Sequence, residues 1–229
     1  MLRRTLTLTG LCAGLLLSAS AMALSLGDLS QKDASGGLKD ALSQGAQIAV
    51  KQLGTPGGFS NNPDVRIELP GKLGKAAKKM KQFGMGEQVE ELETSMNKAA
   101  EAAVPQAQAL LLDAVKKMTV DDAKGILAGG NDSATQYLSK TSREQIREKF
   151  LPIVKNATDK VGLAQKYNQF AGQAATFGLV DAKSSNLEGY VTEQALNGLF
   201  EMIGKQEASI RENPAAAATS LAKKVFGAL

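Results

Sequence analysis

Glu90, Glu93, Asn97 and Glu101 recur at three- and four-residue steps in the stretch EELETSMNKAAEA. On a helix that spacing gathers them into one polar ridge. The ridge runs beside an apolar stripe of Val89, Leu92, Met96, Ala99, Ala100 and Ala103, with Glu93 nearest the core. Carboxylates sharing a face hold a hard cation or divide acid and base roles between them. The plainer reading is pairing on the helix surface, with Glu93 and Asn97 binding neighbouring backbone groups.

Other residues invite chemistry more weakly. Ser95-Met96-Asn97-Lys98 fits the S-x-x-K string of serine acyl-enzymes. Those enzymes also need a strand-borne Lys-Thr-Gly, and here Lys140-Thr141-Ser142 lacks the glycine. Asp121, Asp122, Asp132, Thr135, Gln136 and Tyr137 surround a Gly129-Gly130 turn. Their spacing is not that of a calcium loop, and three of them stand where helix starts favour negative charge. Tyr137, Tyr167 and Tyr190 with Arg143 either bring hydroxyl and guanidinium groups to one cleft or bury their rings with the hydroxyls at the rim. The candidate polar site is therefore Glu93, Asn97, Glu101, Asp122, Thr135, Tyr137 and Arg143, with no metal and no cofactor assigned. A separate cluster, Lys72, Lys75, Lys78 and Lys79 with Lys81, crowds one short helix. It reads as a solvated face or as a contact for anionic lipid headgroups.

Helices must position these groups. Ser30 or Asp33 caps a first helix with Leu38, Leu42, Gly45, Ala49 and Leu53 in phase, and Gly54 ends it. Val65 to Leu69 alternates apolar and polar residues, a strand-like signal without a partner, so an extended connector is expected. Pro70 opens the lysine helix, and Pro105 is expected to stop or kink the ridge helix. Thr119-Val120-Asp121-Asp122 caps a short helix ending at Gly129-Gly130, and Asn131 or Asp132 caps the next. Thr141-Ser142-Arg143-Glu144 reads as another capping box, opening a helix that Pro152 bends and Gly162 breaks. A polar loop at 181–186 precedes a long helix from Leu187, and Asn213-Pro214 starts the last one. The expected fold is all-α, a single compact domain of roughly eight to ten helices with one short extended segment near 65–69.

Composition then excludes much. There is no histidine among the 229 residues and one cysteine, Cys12. Arg3 and Arg4, the apolar run Leu6 to Leu17 and Ala21-Met22-Ala23 have the form of a secretory signal. Cleavage after Ala23 would leave a cysteine-free periplasmic chain of residues 24–229. Histidine and cysteine nucleophile systems are then unavailable, as is most transition-metal ligation. Without Arg3 and Arg4 the 27 basic residues become 25, against 23 acidic ones. That balance argues against a general nucleic-acid binder.

Long motifs carry a resemblance. SMNKAAEAAVP (Ser95 to Pro105), MTVDDAKGILAGGNDSATQYL (Met118 to Leu138) and FLPIV (Phe150 to Val154) resemble a family of secreted bacterial proteins. ASGGLKDAL (Ala34 to Leu42), NGLFEMI (Asn197 to Ile203) and ENP (Glu212 to Pro214) do likewise. It is the family known as domain of unknown function 4197. The resemblance spans nearly all of the chain after residue 23 and implies a secreted or lipid-anchored helical protein with no assigned activity. The leading expectation is a non-enzymatic periplasmic protein that binds a ligand, lipid or envelope protein, with at most peripheral membrane association. The alternative is a carboxylate-dependent hydrolase acting on an envelope component through the Glu93 ridge.

Overall fold

Ser30 accepts a hydrogen bond from the Asp33 amide at 3.0 Å and so starts the first helix, α1 (Gln31–Leu53). The computed structural model describes residues 25–119, 123–176 and 186–229. The expected secretory signal at 1–23, the expected Asp121-Asp122 cap and most of the expected 181–186 loop lie outside these residues.

Among the described residues seven further α-helices follow: α2 (Gly71–Gln82), α3 (Gly86–Lys117), α4 (Ala123–Leu127), α5 (Ser133–Lys160), α6 (Leu163–Thr176), α7 (Leu187–Glu212) and α8 (Ser220–Phe226). No strand occurs among the described residues, and Arg66 to Pro70 runs as an extended connector. The fold is all-α, as the caps and periodicity indicate.

α3 is the central column, packing on α1, α2, α5, α6 and α7, while α1 and α5 both lie along α7. The buried apolar side chains of these helices form one continuous cluster. Close approach has local causes. A Cβ on Gly37 would meet Val225 at 2.6 Å, and one on Gly198 would meet the Phe59 ring at 2.9 Å. These glycines let α8 lie against α1 and the connector lie against α7.

Some expected boundaries do not occur. α3 runs unbroken through Pro105 for 32 residues. Pro105 is solvent-exposed, and it abuts Gly54 at the end of α1, where an added Cβ would come within 2.8 Å of its ring. The missing N–H is outweighed by the stripe from Val89 through Ala103 to Val115, which is buried throughout. Likewise Thr141 opens no helix. Its hydroxyl donates back to the Tyr137 carbonyl at 2.8 Å, and α5 continues through it and through the exposed Pro152 to Lys160. At the far end Pro214 begins only a single 3-10 turn, and Thr219 caps α8 instead.

Candidate functional site

The ridge on α3 faces the 54–70 connector, and each of its buried members reaches across to it. Asn97 is 1% exposed. Its amide oxygen accepts from the Ile67 N–H at 2.9 Å, and its amide nitrogen donates to the Ile67 carbonyl at 2.8 Å and to the Glu93 carbonyl at 2.7 Å. One side chain thus supplies the ladder partner that the connector lacks. That is why alternating Val65, Ile67 and Leu69 lie buried without a sheet.

Glu101 works one turn further along. One carboxylate oxygen accepts from the Phe59 and Ser60 amides at 3.1 Å and from the Ser60 hydroxyl at 2.9 Å. Phe59 is thereby seated with no exposed surface. Glu93 lies at the other end, where Arg66 approaches at 3.3 Å and Lys81 at 3.6 Å. Glu90 stays exposed and outside the cluster. The backbone-binding reading of the ridge is therefore the one the geometry favours, although the backbone bound belongs mostly to the connector.

Arg66 and Lys81 bring the ridge and the lysine helix into one place. A cleft of about 460 Å³ lies between the connector and α2, with Glu93 in its wall. Lys75 and Lys78 line the same cleft, whereas Lys72 and Lys79 do not. The apolar face of α2, Leu73, Ala76, Ala77 and Met80, is buried, and α3 is its main packing partner. Among the described residues no carboxylate comes within 4.0 Å of Lys72, Lys75, Lys78 or Lys79, and all four are exposed. The helix start carries no acidic residue and no side-chain cap. Just past its end Phe83 is 65% exposed.

The remaining candidates are dispersed. Thr135 donates its amide and hydroxyl to Glu207, each at 2.8 Å. Tyr137 donates to the Thr119 carbonyl beside a cavity of about 330 Å³ between α3 and α5. Arg143 donates to Glu193 at 3.0 Å and to Asn197 at 2.6 Å, and lies 5.7 Å from the Phe200 ring centre. Tyr190 donates to the Glu68 carbonyl at 2.9 Å, and Tyr167 lines a different cleft beside α6. Burial, with Glu68 nearby, pushes the Tyr190 hydroxyl above its ordinary range. The tyrosines and Arg143 do not share a cleft, and Asp122 lies outside the described residues. Among those residues no group of three or more acidic side chains is placed to hold a metal ion.

A second cluster is built on Glu207 and Arg211, neither of them among the residues that spacing in the sequence singles out. Glu207 on α7 is 2% exposed and accepts from the Ala134 and Thr135 amides, capping α5 from another helix. Of the two expected caps, Asn131 and Asp132, it is Asp132 that stands at the cap position, and its side chain makes no capping hydrogen bond. Arg211 pairs with Glu207 at 2.8 Å, donates to the Leu127 carbonyl at 2.7 Å and lies 5.6 Å from the Phe226 ring centre. The pair joins the end of α4, the start of α5, α7 and α8. A signal was present: Glu207 falls in the apolar phase set by Leu199, Ile203 and Ile210.

No helix among the described residues is long and apolar enough to cross a membrane. No curated protein and no solved structure matches the chain at a significant level. A family model does, over residues 28–227, a range that takes in α1 through α8. By that match the chain belongs to the family described as protein of unknown function (DUF4197).

Proposed function

We propose that this is a non-enzymatic binding protein of the bacterial periplasm, exported by its 1–23 segment, that docks peripherally on the anionic lipid surface of the envelope through α2. The observation that carries the reading is the exposed lysine face of α2, four of whose five lysines have no carboxylate within ion-pairing distance among the described residues. Unpaired like charges on twelve residues repel one another, and a negative surface relieves that repulsion. The apolar side of α2 is already covered, so the contact is electrostatic, with the large, exposed side chain of Phe83 just past the helix end. Each lysine near an anionic bilayer contributes ~1 kcal/mol, so several acting together hold a protein at the surface reversibly.

The ridge supports the non-enzymatic part of this reading. An acid or base must reach a substrate proton. Asn97 instead spends its amide on the backbone of Ile67 and Glu93, and one oxygen of Glu101 is taken up by Phe59 and Ser60. The test is envelope fractionation of cells producing the Lys72→Glu/Lys79→Glu chain. Loss of membrane association with unchanged protein level supports the reading, and unchanged fractionation refutes it.

A further inference from the structure

The lysines of α2 divide into two sets, and the second set has a partner of its own. Lys72 and Lys79 are exposed and do not line the cleft, whereas Lys75, Lys78 and Lys81 line it toward the connector. Arg66 joins them from the opposite wall. The cleft therefore holds four cations against two carboxylates, Glu68 and Glu93.

Even the paired cations are under-served. Glu93 is shared between Arg66 at 3.3 Å and Lys81 at 3.6 Å. Both contacts are longer than the ~2.7–2.9 Å of a strong charge-assisted hydrogen bond. Lys75 and Lys78 have no carboxylate within 4.0 Å among the described residues. The excess amounts to two positive charges in a recess of about 460 Å³, far more room than a single ion needs.

A guanidinium on one wall and several ammonium groups on the other suit a tetrahedral oxyanion. The planar fork of arginine takes two oxygens, and lysines act as point charges on the rest. A Cβ on Gly74 would come within 2.5 Å of the Leu69 carbonyl oxygen, so only glycine lets α2 lie this close to the connector.

We infer that the cleft between α2 and the connector is a binding site for a phosphate-bearing anion, held by Arg66, Lys75, Lys78 and Lys81 above the Glu93 carboxylate. The inference rests on the α2 docking reading and deepens it, since the phosphate belongs either to a lipid headgroup or to a free phosphoryl ligand. On a membrane, Lys72 and Lys79 would meet the general surface charge while the cleft takes one headgroup.

The experiment uses the chain from residue 24 onward, isotopically labelled, and follows the backbone amides of residues 66–81 by NMR. Two probes are titrated separately: inorganic phosphate, and dihexanoyl phosphatidate below its micelle concentration. Two double variants accompany the wild type, Lys75→Gln/Lys78→Gln in the cleft and Lys72→Gln/Lys79→Gln outside it, all four positions being exposed. Saturable shifts confined to the cleft, weakened about tenfold by the cleft variant and little by the outer one, are expected. Saturation with inorganic phosphate assigns a free phosphoryl ligand, and saturation with the phosphatidate alone assigns a lipid headgroup. No saturable shift with either probe, or equal weakening by both variants, overturns the cleft site. Sedimentation with phosphatidylglycerol vesicles separates the two levels. Binding that survives there removes only the cleft, whereas its absence removes the docking reading as well.

Discussion

Asn97→Ala removes three hydrogen bonds at once and leaves two partners stranded on the connector, the N–H and the carbonyl of Ile67. Ile67 is 1% exposed, so water does not replace the lost partner without opening the connector. A buried backbone group left unsatisfied costs about 1–3 kcal/mol, which puts two of them at roughly 2–6 kcal/mol. Local opening to admit water caps the loss, so a value of about 3 kcal/mol is expected. In a chain of this size 1 kcal/mol moves Tm by ~2–4 °C, so calorimetry should show a fall of about 6–12 °C. Amide hydrogen exchange provides the local readout. Protection at Ile67, and at Phe59 and Ser60 to a lesser extent, should drop more than at Leu38 or Leu92 in the core. A Tm within a degree of wild type, with Ile67 still protected, would refute the view that the ridge exists to hold the connector.

Three further outcomes follow from the other clusters. Glu207→Ala leaves Arg211, 9% exposed at its side chain, without its carboxylate and strips the cap from α5; chemical denaturation should register a loss of about 3–5 kcal/mol. Glu207→Leu/Arg211→Met should lose distinctly less than the single change, because no buried charge is stranded. Glu193 is pulled both ways. Burial works against its charged form, but hydrogen bonds from Arg143 and Arg147 outweigh that and hold the carboxyl below its ordinary value of 4.5. A carboxyl depressed on folding stabilises the native state above its unfolded pKa, and that contribution is lost as pH falls through the folded value. The stability difference between wild type and Glu193→Gln should therefore be constant above pH ~5.5 and shrink below 4.5, as read by urea titrations across pH.

Much of the frame was legible because local rules and tertiary packing agree there. Ser30, Gly54 and Gly162 mark the ends they appear to mark, Gly162 with φ +64° just past α5. The alternation of Val65, Ile67 and Leu69 gave the correct inner face for the connector. The partner, however, was a side chain on α3 rather than another strand. Elsewhere a local signal lost to a longer-range one. Thr141 has the sequence of a cap but stands exposed beside the stripe Leu138, Ser142, Ile146 and Phe150, whose burial carries the helix unbroken past it, so its hydroxyl bonds within the helix. Pro105 costs α3 one hydrogen bond at a solvent-exposed turn, which its buried flank outweighs. At the site, the ridge and the lysine helix were each visible by spacing. Their meeting through Arg66 and Lys81 was not, because it depends on how the connector folds back between them. Glu207 with Arg211 was hidden for a related reason: the groups they serve, the start of α5 and the end of α4, are more than seventy residues away.

The most direct measurement of the docking reading is sedimentation of the purified chain from residue 24 with vesicles, half neutral phosphatidylcholine only and half containing phosphatidylglycerol. Binding should occur on the anionic vesicles alone and weaken steeply as salt shortens the screening length to ~3 Å at 1 M. Lys72→Gln/Lys79→Gln should lose on the order of 30-fold in affinity at low salt, corresponding to ~1 kcal/mol for each cation removed. Equal binding to neutral and anionic vesicles, or none to either, would contradict the assignment of α2 as an electrostatic membrane contact.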